Sequence, residues 1–166
     1  MTEVITPVFT LESAIALAKE AHEGQVDKDG QPYYPHPLFV MDHLEGETER
    51  MTGILHDVPE DTHYTIEDLI RKGCPPDVIA ALRLVTRPED MEDTPEAYLK
   101  WIESIRDSEN QTAIDVKWVD LTHNSDQTRI KIPTERDHKR WGKYSQAKEI
   151  LRPVVSPYLL DLTTQL

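Results

Sequence analysis

Three short segments of the chain carry the side chains that are best suited to chemistry. His36 lies between two prolines, His56 and Asp57 follow an apolar run, and Asp120 follows a second apolar run. Imidazole and carboxylate groups beside core-facing residues are costly to bury unless they are paired or bind a metal. Two imidazoles and two carboxylates leave two positions of a six-coordinate divalent cation open, and such mixed ligation suits Mn²⁺, Fe²⁺ or Zn²⁺ better than Ca²⁺. These four residues are therefore candidate metal ligands, with room for a water and a phosphate oxygen.

A pair of acids, Glu60 and Asp61, follows the His-Asp pair closely. On a continuous helix His56 and Glu60 would share one side, as would Asp57 and Asp61, because residues four apart are neighbours on a helix surface. Glu60 or Asp61 is therefore the candidate base that takes a proton from an attacking water.

Each of these segments taken singly would more often be structural than functional, so the metal prediction depends on their occurring together. His123 shares a helical face with Asp120 and is as well suited to a supporting or packing role as to metal binding. The other histidines have no partner pattern: His22, His43, His63 and His138. Cys74 has no motif around it, and the chain contains no H-E-x-x-H, P-loop, G-x-G-x-x-G or paired C-x-x-C sequence.

The elements that must position these residues are predicted to be helical. Apolar residues recur at helical spacing through most of the chain, which predicts an all-α bundle. Thr10 is the predicted N-cap of a first helix that ends at His22, and residues 25–35 predict a tight turn or short hairpin. Further helices are expected to start at Pro37, Thr65, Pro75-Pro76 and Thr94-Pro95, to cover 113–123 and 134–151, and to include a short last one from Pro153. Pro59 should kink or end the helix that carries Met51 to Val58, because proline removes a backbone donor.

Length and composition favour one globular domain over residues 1–166. The chain has 166 residues, of which 38% are hydrophobic and 30% charged, an ordinary globular balance. No run approaches the roughly 18 apolar residues needed to span a bilayer, and the N-terminus does not resemble a secretory signal. With a single cysteine no internal disulfide forms, so we expect a cytoplasmic protein.

Charge is distributed unevenly along the chain. The net charge of -13 argues against broad binding to nucleic acid or to an anionic membrane. The segment from Arg129 to Arg152 nevertheless carries eight Lys/Arg against three acids. This basic segment is either a solvated helix with mixed charges or a positive wall for a substrate with several phosphates.

The ordered set H…HD…D resembles that of the HD-domain phosphohydrolases. Longer strings are similar to the hydrolase domain of Rel/Spo alarmone enzymes and to single-domain small alarmone hydrolases: AHEGQ at 21–25, KDGQPY at 28–33, HPL at 36–38, LHDVPEDT at 55–62 and KWVDLTHN at 117–124. The resemblance covers about residues 10–151. It implies an HD-domain helical bundle that hydrolyses the 3′-pyrophosphate of guanosine tetra- or pentaphosphate, with GDP or GTP left.

The resemblance also implies roles for individual residues. His36, His56, Asp57 and Asp120 match the metal ligands of these enzymes, in which the ion is usually Mn²⁺. Glu60 and Asp61 match the acids credited with positioning or deprotonating the attacking water. The positions that contact the nucleotide are matched by Lys28, Tyr33 and Asn124.

One position departs from the pattern of these enzymes. Asp27 stands where they typically carry an arginine that stacks on the guanine, and a carboxylate makes no cation–π contact and repels phosphates. Hydrolysis of another nucleotide or dinucleotide phosphate therefore stays open. A nucleotide-binding domain that has lost catalysis is a separate alternative, which predicts damaged ligands or a missing acidic pair, and the sequence shows neither. The sequence leaves the native metal, the oligomeric state and regulation undetermined.

Overall fold

Helices make up most of the fold. A computed structural model describes residues 8–162. The α-helices in this range are α1 (Leu11–Ala21), α2 (Pro35–Asp42), α3 (Glu47–Leu55), α4 (Val58–Asp61), α5 (Ile66–Arg71), α6 (Pro76–Val85), α7 (Pro95–Asp107), α8 (Gln111–Asn124) and α9 (Glu135–Leu151). Within residues 8–162, β structure is limited to one antiparallel bridge between Val26 and Pro32. The predicted all-α bundle with at most a short hairpin is confirmed.

Side-chain caps set many of the helix starts. Thr10, Thr65 and Thr134 each form a capping box, in which the threonine hydroxyl accepts from the third helical N–H and that residue's side chain accepts from the threonine N–H. Such caps satisfy donors that have no partner within the helix. These three helix starts are therefore determined by residues close to them in the chain.

Three boundaries differ from the sequence prediction. Helix α2 begins at Pro35 rather than Pro37, since a proline in the first turn gives up no helical hydrogen bond. The helix carrying Met51 ends at Leu55, and α4 begins at Val58, so the two residues between them, His56 and Asp57, form the junction of the two helices. The final helical turn is a 3₁₀ turn at Pro157–Leu159 rather than a helix from Pro153.

Helix α8 runs through the centre of the molecule. It packs against α2, α3, α6, α7 and α9, and its residues from Ala113 to Thr122 are all buried. The fully buried Trp118 donates from its indole N–H to the carbonyl of Leu159 at 2.8 Å. Because no face of α8 is free for water, its buried polar residues must be satisfied within the protein.

Helices α2 and α3 pack closely against each other. A Cβ atom on Gly53 would lie 2.8 Å from the Leu44 side chain and 3.3 Å from the Met41 backbone, so glycine lets the two helices pack closely. This packing brings His36 in the first turn of α2 toward His56 at the end of α3.

A transmembrane helix is not found among residues 8–162, because none of the helices there combines the length and the apolar composition that a membrane span needs.

Candidate active site

The four candidate ligands converge on one point between α2, the α3–α4 junction and α8. The Nε2 atom of His36 lies 3.0 Å from Oδ1 of Asp120 and 3.5 Å from Oδ2 of Asp57. The Nε2 atom of His56 lies 3.1 Å from the same Asp57 oxygen and 3.4 Å from the same Asp120 oxygen. All four residues are buried. Two imidazole nitrogens and two carboxylate oxygens therefore face each other, and we refer to these residues as the floor.

The backbone fixes the proton position on His56. Its Nδ1 lies 2.7 Å from the carbonyl oxygen of Gly53, and since a carbonyl only accepts, Nδ1 carries the hydrogen. The Nε2 atom therefore faces the floor, where this buried atom makes no hydrogen bond. A metal-ligating histidine commonly donates its other N–H to a carbonyl in this way.

His123 orients the second imidazole. Its Nδ1 lies 2.7 Å from Nδ1 of His36, and the planes of the two rings are nearly parallel, with centroids 4.9 Å apart. Phe39 stacks on His123 with ring centroids 4.0 Å apart. Burial and the nearby His36 lower the pKa of His123 to about 3, so its ring is neutral and shares one hydrogen bond with His36 through the two Nδ1 atoms. Of the two roles open from the sequence, the geometry favours support of His36.

The carboxylates of the floor have their own partners. Tyr33 donates from its hydroxyl to Oδ2 of Asp57 at 2.6 Å, and Asn124 donates to Oδ1 of Asp120 at 2.8 Å. Lys117 donates to the other oxygen of Asp120 at 2.9 Å. Burial opposes charge on His56, but Asp57 and Asp120 outweigh it and raise the pKa of His56 well above its usual range.

These observations fit a divalent cation. The floor combines donor atoms that converge, a buried imidazole nitrogen without a hydrogen bond, and two carboxylates whose charge draws a proton onto His56. A divalent cation would replace that proton, because metal binding to imidazole requires the neutral ring. His36, His56 and Asp57 place one ligand atom each within 4.8 Å of one another, so a His/Asp group able to hold a divalent metal is present.

Glu60 and Asp61 stand beside the floor on α4 and line the large cavity above it. Glu60 is exposed to the cavity, but partial desolvation, opposed by Lys117 and reinforced by Asp57, raises its pKa to about 7. Desolvation and Asp57 likewise raise the pKa of Asp61 to about 6. Both values suit groups that exchange protons near neutral pH.

The cavity above the floor has a volume of about 1340 Å³ and walls of opposite charge. Asp57, Asp120, Glu60 and Asp61 line one side. Other elements supply the cations Arg87, Arg136, Lys139, Arg140 and Lys143, and the acids Glu89 and Asp93 line the cavity near Arg87. Four of the cations come from α9, at positions that recur every three or four residues and so share one face. The basic segment therefore borders the same cavity as the floor.

A smaller cavity of about 320 Å³ adjoins this one and contains the predicted substrate contacts Lys28, Tyr33 and Asn124. Their side chains also have protein partners. Lys28 pairs with Asp137 at 2.5 Å, while Tyr33 and Asn124 hold the floor carboxylates. Trp141 and Tyr144 supply aromatic surface to the walls.

The carboxylate of Asp27 is turned toward its own loop. Its Oδ1 accepts from the backbone N–H groups of Asp29 and Gln31, each at 2.9 Å. Side-chain acceptors of this kind stabilise tight turns. Asp27 thus lines the smaller cavity and also holds the 27–31 turn in shape.

Two site contacts have no clear sequence signal. Lys117 lies three residues before Asp120, a helical spacing that offered a clue, but lysine is almost never buried. His22, treated as ordinary from the sequence, is buried and bonds through Nδ1 to Gln25 Oε1 at 2.8 Å. Gln25 in turn donates to the carbonyl of Asp61 at 2.6 Å, which ties the end of α1 to the acidic helix α4.

Comparisons with known proteins agree with the geometry. No known family profile matches the chain. The guanosine-3′,5′-bis(diphosphate) 3′-pyrophosphohydrolase of Haemophilus influenzae is 47% identical over 58 residues, 32% of this chain and 8% of that protein. The bifunctional (p)ppGpp synthase/hydrolase SpoT of Escherichia coli is 42% identical over 64 residues, 36% of this chain and 9% of that protein. The matched segments thus span less than a tenth of these relatives.

A solved structure extends the likeness to nearly the whole fold. A metazoan ortholog of SpoT, described as hydrolysing ppGpp and acting in starvation responses, superposes with a TM-score of 0.77. The match has 22% sequence identity and covers 95% of this chain and 93% of that one. The chain resembles the hydrolase domain of Rel/Spo enzymes. The resemblance inferred from the sequence and the HD-type helical fold are both confirmed.

Proposed function

We propose that this chain is a metal-dependent phosphohydrolase that removes pyrophosphate from the 3′ position of (p)ppGpp. The observation that carries this proposal is the floor: His36, His56, Asp57 and Asp120 converge beneath a cavity that is also lined by cations of α9. The names of the relatives favour the same reaction, and the fold of the metazoan hydrolase accommodates it.

The proposed cation is Mn²⁺, held by the four floor residues. When bound, it would make a water more acidic and would polarise a phosphate oxygen. Glu60 or Asp61 would accept the proton of the attacking water, since both carboxyls border the cavity and have pKa values of about 7 and 6. Water then adds to phosphorus, the bond to the ribose 3′ oxygen breaks, and that oxygen takes a proton as pyrophosphate departs.

The walls would place the rest of the nucleotide. We assign the phosphates to the cationic face of α9, where Arg136, Lys139, Arg140 and Lys143 border the cavity. Charge-assisted hydrogen bonds from such groups are stronger than neutral ones. We assign the nucleoside to the smaller cavity, where Tyr33, Lys28 and Asn124 lie among aromatic side chains. Tyr33 and Asn124 would then connect substrate to the floor.

A second candidate is hydrolysis of another phosphorylated nucleotide at the same floor. The specific observation behind it is Asp27, whose carboxylate lines the smaller cavity while it holds the 27–31 turn. Because Lys28 is paired with Asp137, the part of the smaller cavity around Asp27 offers little free positive charge to a base or a phosphate. The floor chemistry is the same for both candidates.

The test is hydrolysis of ppGpp with Mn²⁺ present, with GDP and pyrophosphate measured together. Asp57→Asn removes a charged floor ligand and should lower the rate by more than about 100-fold, since even indirect partners of a metal contribute 10–100-fold. Asp42→Asn is the matched control, because this carboxylate is exposed on α2 and should leave the rate unchanged.

The substrate panel decides between the candidates. It should include nucleotides with a 2′- or 3′-monophosphate and dinucleotide phosphates beside ppGpp. Turnover of another nucleotide, lost in Asp57→Asn, with no cleavage of ppGpp would replace the first candidate by the second. Protein that retains metal but cleaves no phosphate ester would favour a binding domain.

A further inference from the structure

Lys117 is a buried lysine that contacts the floor. Its side chain is 9% exposed, and its Nζ lies 2.9 Å from Oδ2 of Asp120. The ammonium also lies 4.6 Å from the centroid of the Trp101 ring and 6.0 Å from that of Tyr98. These rings stabilise a desolvated cation through their π faces. The metal site and the proposed reaction leave this residue without a role.

The two oxygens of Asp120 are divided between different partners. Oδ1 faces both imidazole Nε2 atoms, at 3.0 Å from His36 and 3.4 Å from His56. Oδ2 is taken by the Lys117 ammonium. A carboxylate bound in this way offers a cation one oxygen only, whereas an unpaired carboxylate can bind through both.

The charge of Lys117 acts on the same point. It is desolvated and one carboxylate away from the place where the cation would sit. Like charges at such a distance in a site of low dielectric repel each other by more than they would in water. The ammonium would therefore oppose cation binding while it holds Asp120 in place.

We propose that Lys117 is a positioning residue that restricts Asp120 to one oxygen and keeps the bound cation open to water and phosphate. The inference rests on the metal site of the proposed function. A six-coordinate cation with four single-atom protein ligands keeps two positions for the reaction, and a second Asp120 oxygen would occupy one of them.

A purely structural role is the competing explanation, and it makes a different prediction. A buried ion pair is seldom more stabilising than a well-packed apolar replacement, and Met would fit beside Trp101 and Tyr98. If Lys117 only supported the fold, its loss would loosen the floor and weaken metal binding. If it positions Asp120, its loss should strengthen metal binding and slow the reaction.

The experiment compares Mn²⁺ affinity and kinetics in Lys117→Met and in the native protein. We expect Lys117→Met to bind Mn²⁺ at least about tenfold more tightly, because a repelling charge is removed and a second oxygen is released. We also expect kcat to fall by about tenfold or more while KM changes less. Calorimetry gives the affinity without reference to activity.

Lys148→Met is the matched control. Lys148 also lies over a tryptophan, at 4.4 Å from the Trp118 ring, but it does not border the cavity. Its replacement should leave Mn²⁺ affinity and kcat unchanged.

Lys117→Gln is a second variant, which removes the charge and keeps an N–H donor for Asp120. It should bind Mn²⁺ more tightly than the native protein, and its kcat should fall less than that of Lys117→Met.

The outcomes separate the two proposals. Weaker or equal Mn²⁺ binding in folded Lys117→Met overturns the role of Lys117, and the same result in Lys117→Gln overturns it if Lys117→Met does not fold. Failure of the native protein to bind Mn²⁺ overturns the proposed metal site itself. Tighter binding together with a slower reaction supports both.

Discussion

The floor and the wall opposite it are built in contrasting ways. In the floor, short side chains are buried and nearly every polar atom is oriented by a neighbour, as His56 is by the Gly53 carbonyl and His36 by His123. The wall consists of long cationic side chains on α9, exposed or half-buried. The floor is therefore suited to holding one fixed geometry, and the wall to accommodating different phosphorylated ligands. Under the proposed function, the chemistry would depend on the floor and the binding of phosphates on the wall.

The largest expected effect comes from the acid beside the floor. Glu60→Gln should lower kcat by about 10²–10⁴-fold while Mn²⁺ affinity changes little, because the amide cannot accept a proton from water. Glu60 has a pKa raised to about 7, so the base form is present above that pH and lost below it. The native rate should therefore fall as pH decreases through about 7, or through a lower value when the cation stabilises the carboxylate.

The pH profile of Glu60→Gln sharpens this test. If Glu60 is the base, the variant should lose that acid limb of the profile. An unchanged profile with an unchanged kcat would transfer the role to Asp61. Glu67→Gln, an exposed glutamate on α5, is the control.

A smaller effect is expected from the histidine behind the floor. His123→Phe keeps an aromatic ring against Phe39 but removes the nitrogen that is hydrogen-bonded to His36. We expect Mn²⁺ affinity or kcat to fall by about 10–100-fold, as for other indirect partners of metal ligands. His43→Phe is the control, since His43 also stacks on Phe39 but does not contact His36. Equal effects of both variants would show that stacking matters rather than the hydrogen bond.

Changes in the wall should affect binding and spare catalysis. Replacing Lys139 and Arg140 together by Ala should raise KM for ppGpp roughly tenfold, because each partly exposed cation contributes up to about 1 kcal/mol. The value of kcat should stay near that of the native protein, and the difference in KM should shrink at high salt. Steady-state kinetics at two ionic strengths measures both. A fall in kcat with an unchanged KM would contradict the division between floor and wall.

The smallest effect is expected at Asp27. Asp27→Ala removes the acceptor for two backbone N–H groups and should lower the free energy of unfolding by about 0.5–1.5 kcal/mol, while Mn²⁺ affinity is unchanged. Asp27→Asn keeps an oxygen acceptor and should lose less. Denaturant titration measures both. If Asp27→Ala is as stable as the native protein, the carboxylate is available for another role, such as base selection.

Local signals predicted the floor better than they predicted its surroundings. The caps at Thr10, Thr65 and Thr134 involve residues three apart, so they were predictable from neighbouring residues alone. The sequence predicted that the helix carrying Met51 kinks or ends near Pro59, whereas it ends before His56. The prediction was only approximate because the end of a helix also depends on how its neighbours pack. Lys117 was missed since its aromatic partners lie on α7, and nothing in the 117–124 segment indicates which helix covers it.

The distance along the chain between the floor residues has a consequence for folding. His36 and Asp120 are 84 residues apart in sequence, and a cation between them would join α2, the α3–α4 junction and α8. Such a cation binds the folded chain and not the unfolded one, so at a concentration of 100 times its dissociation constant it adds about 2.7 kcal/mol to the free energy of unfolding. Metal supply would then govern the lifetime of the protein against proteolysis as well as its activity.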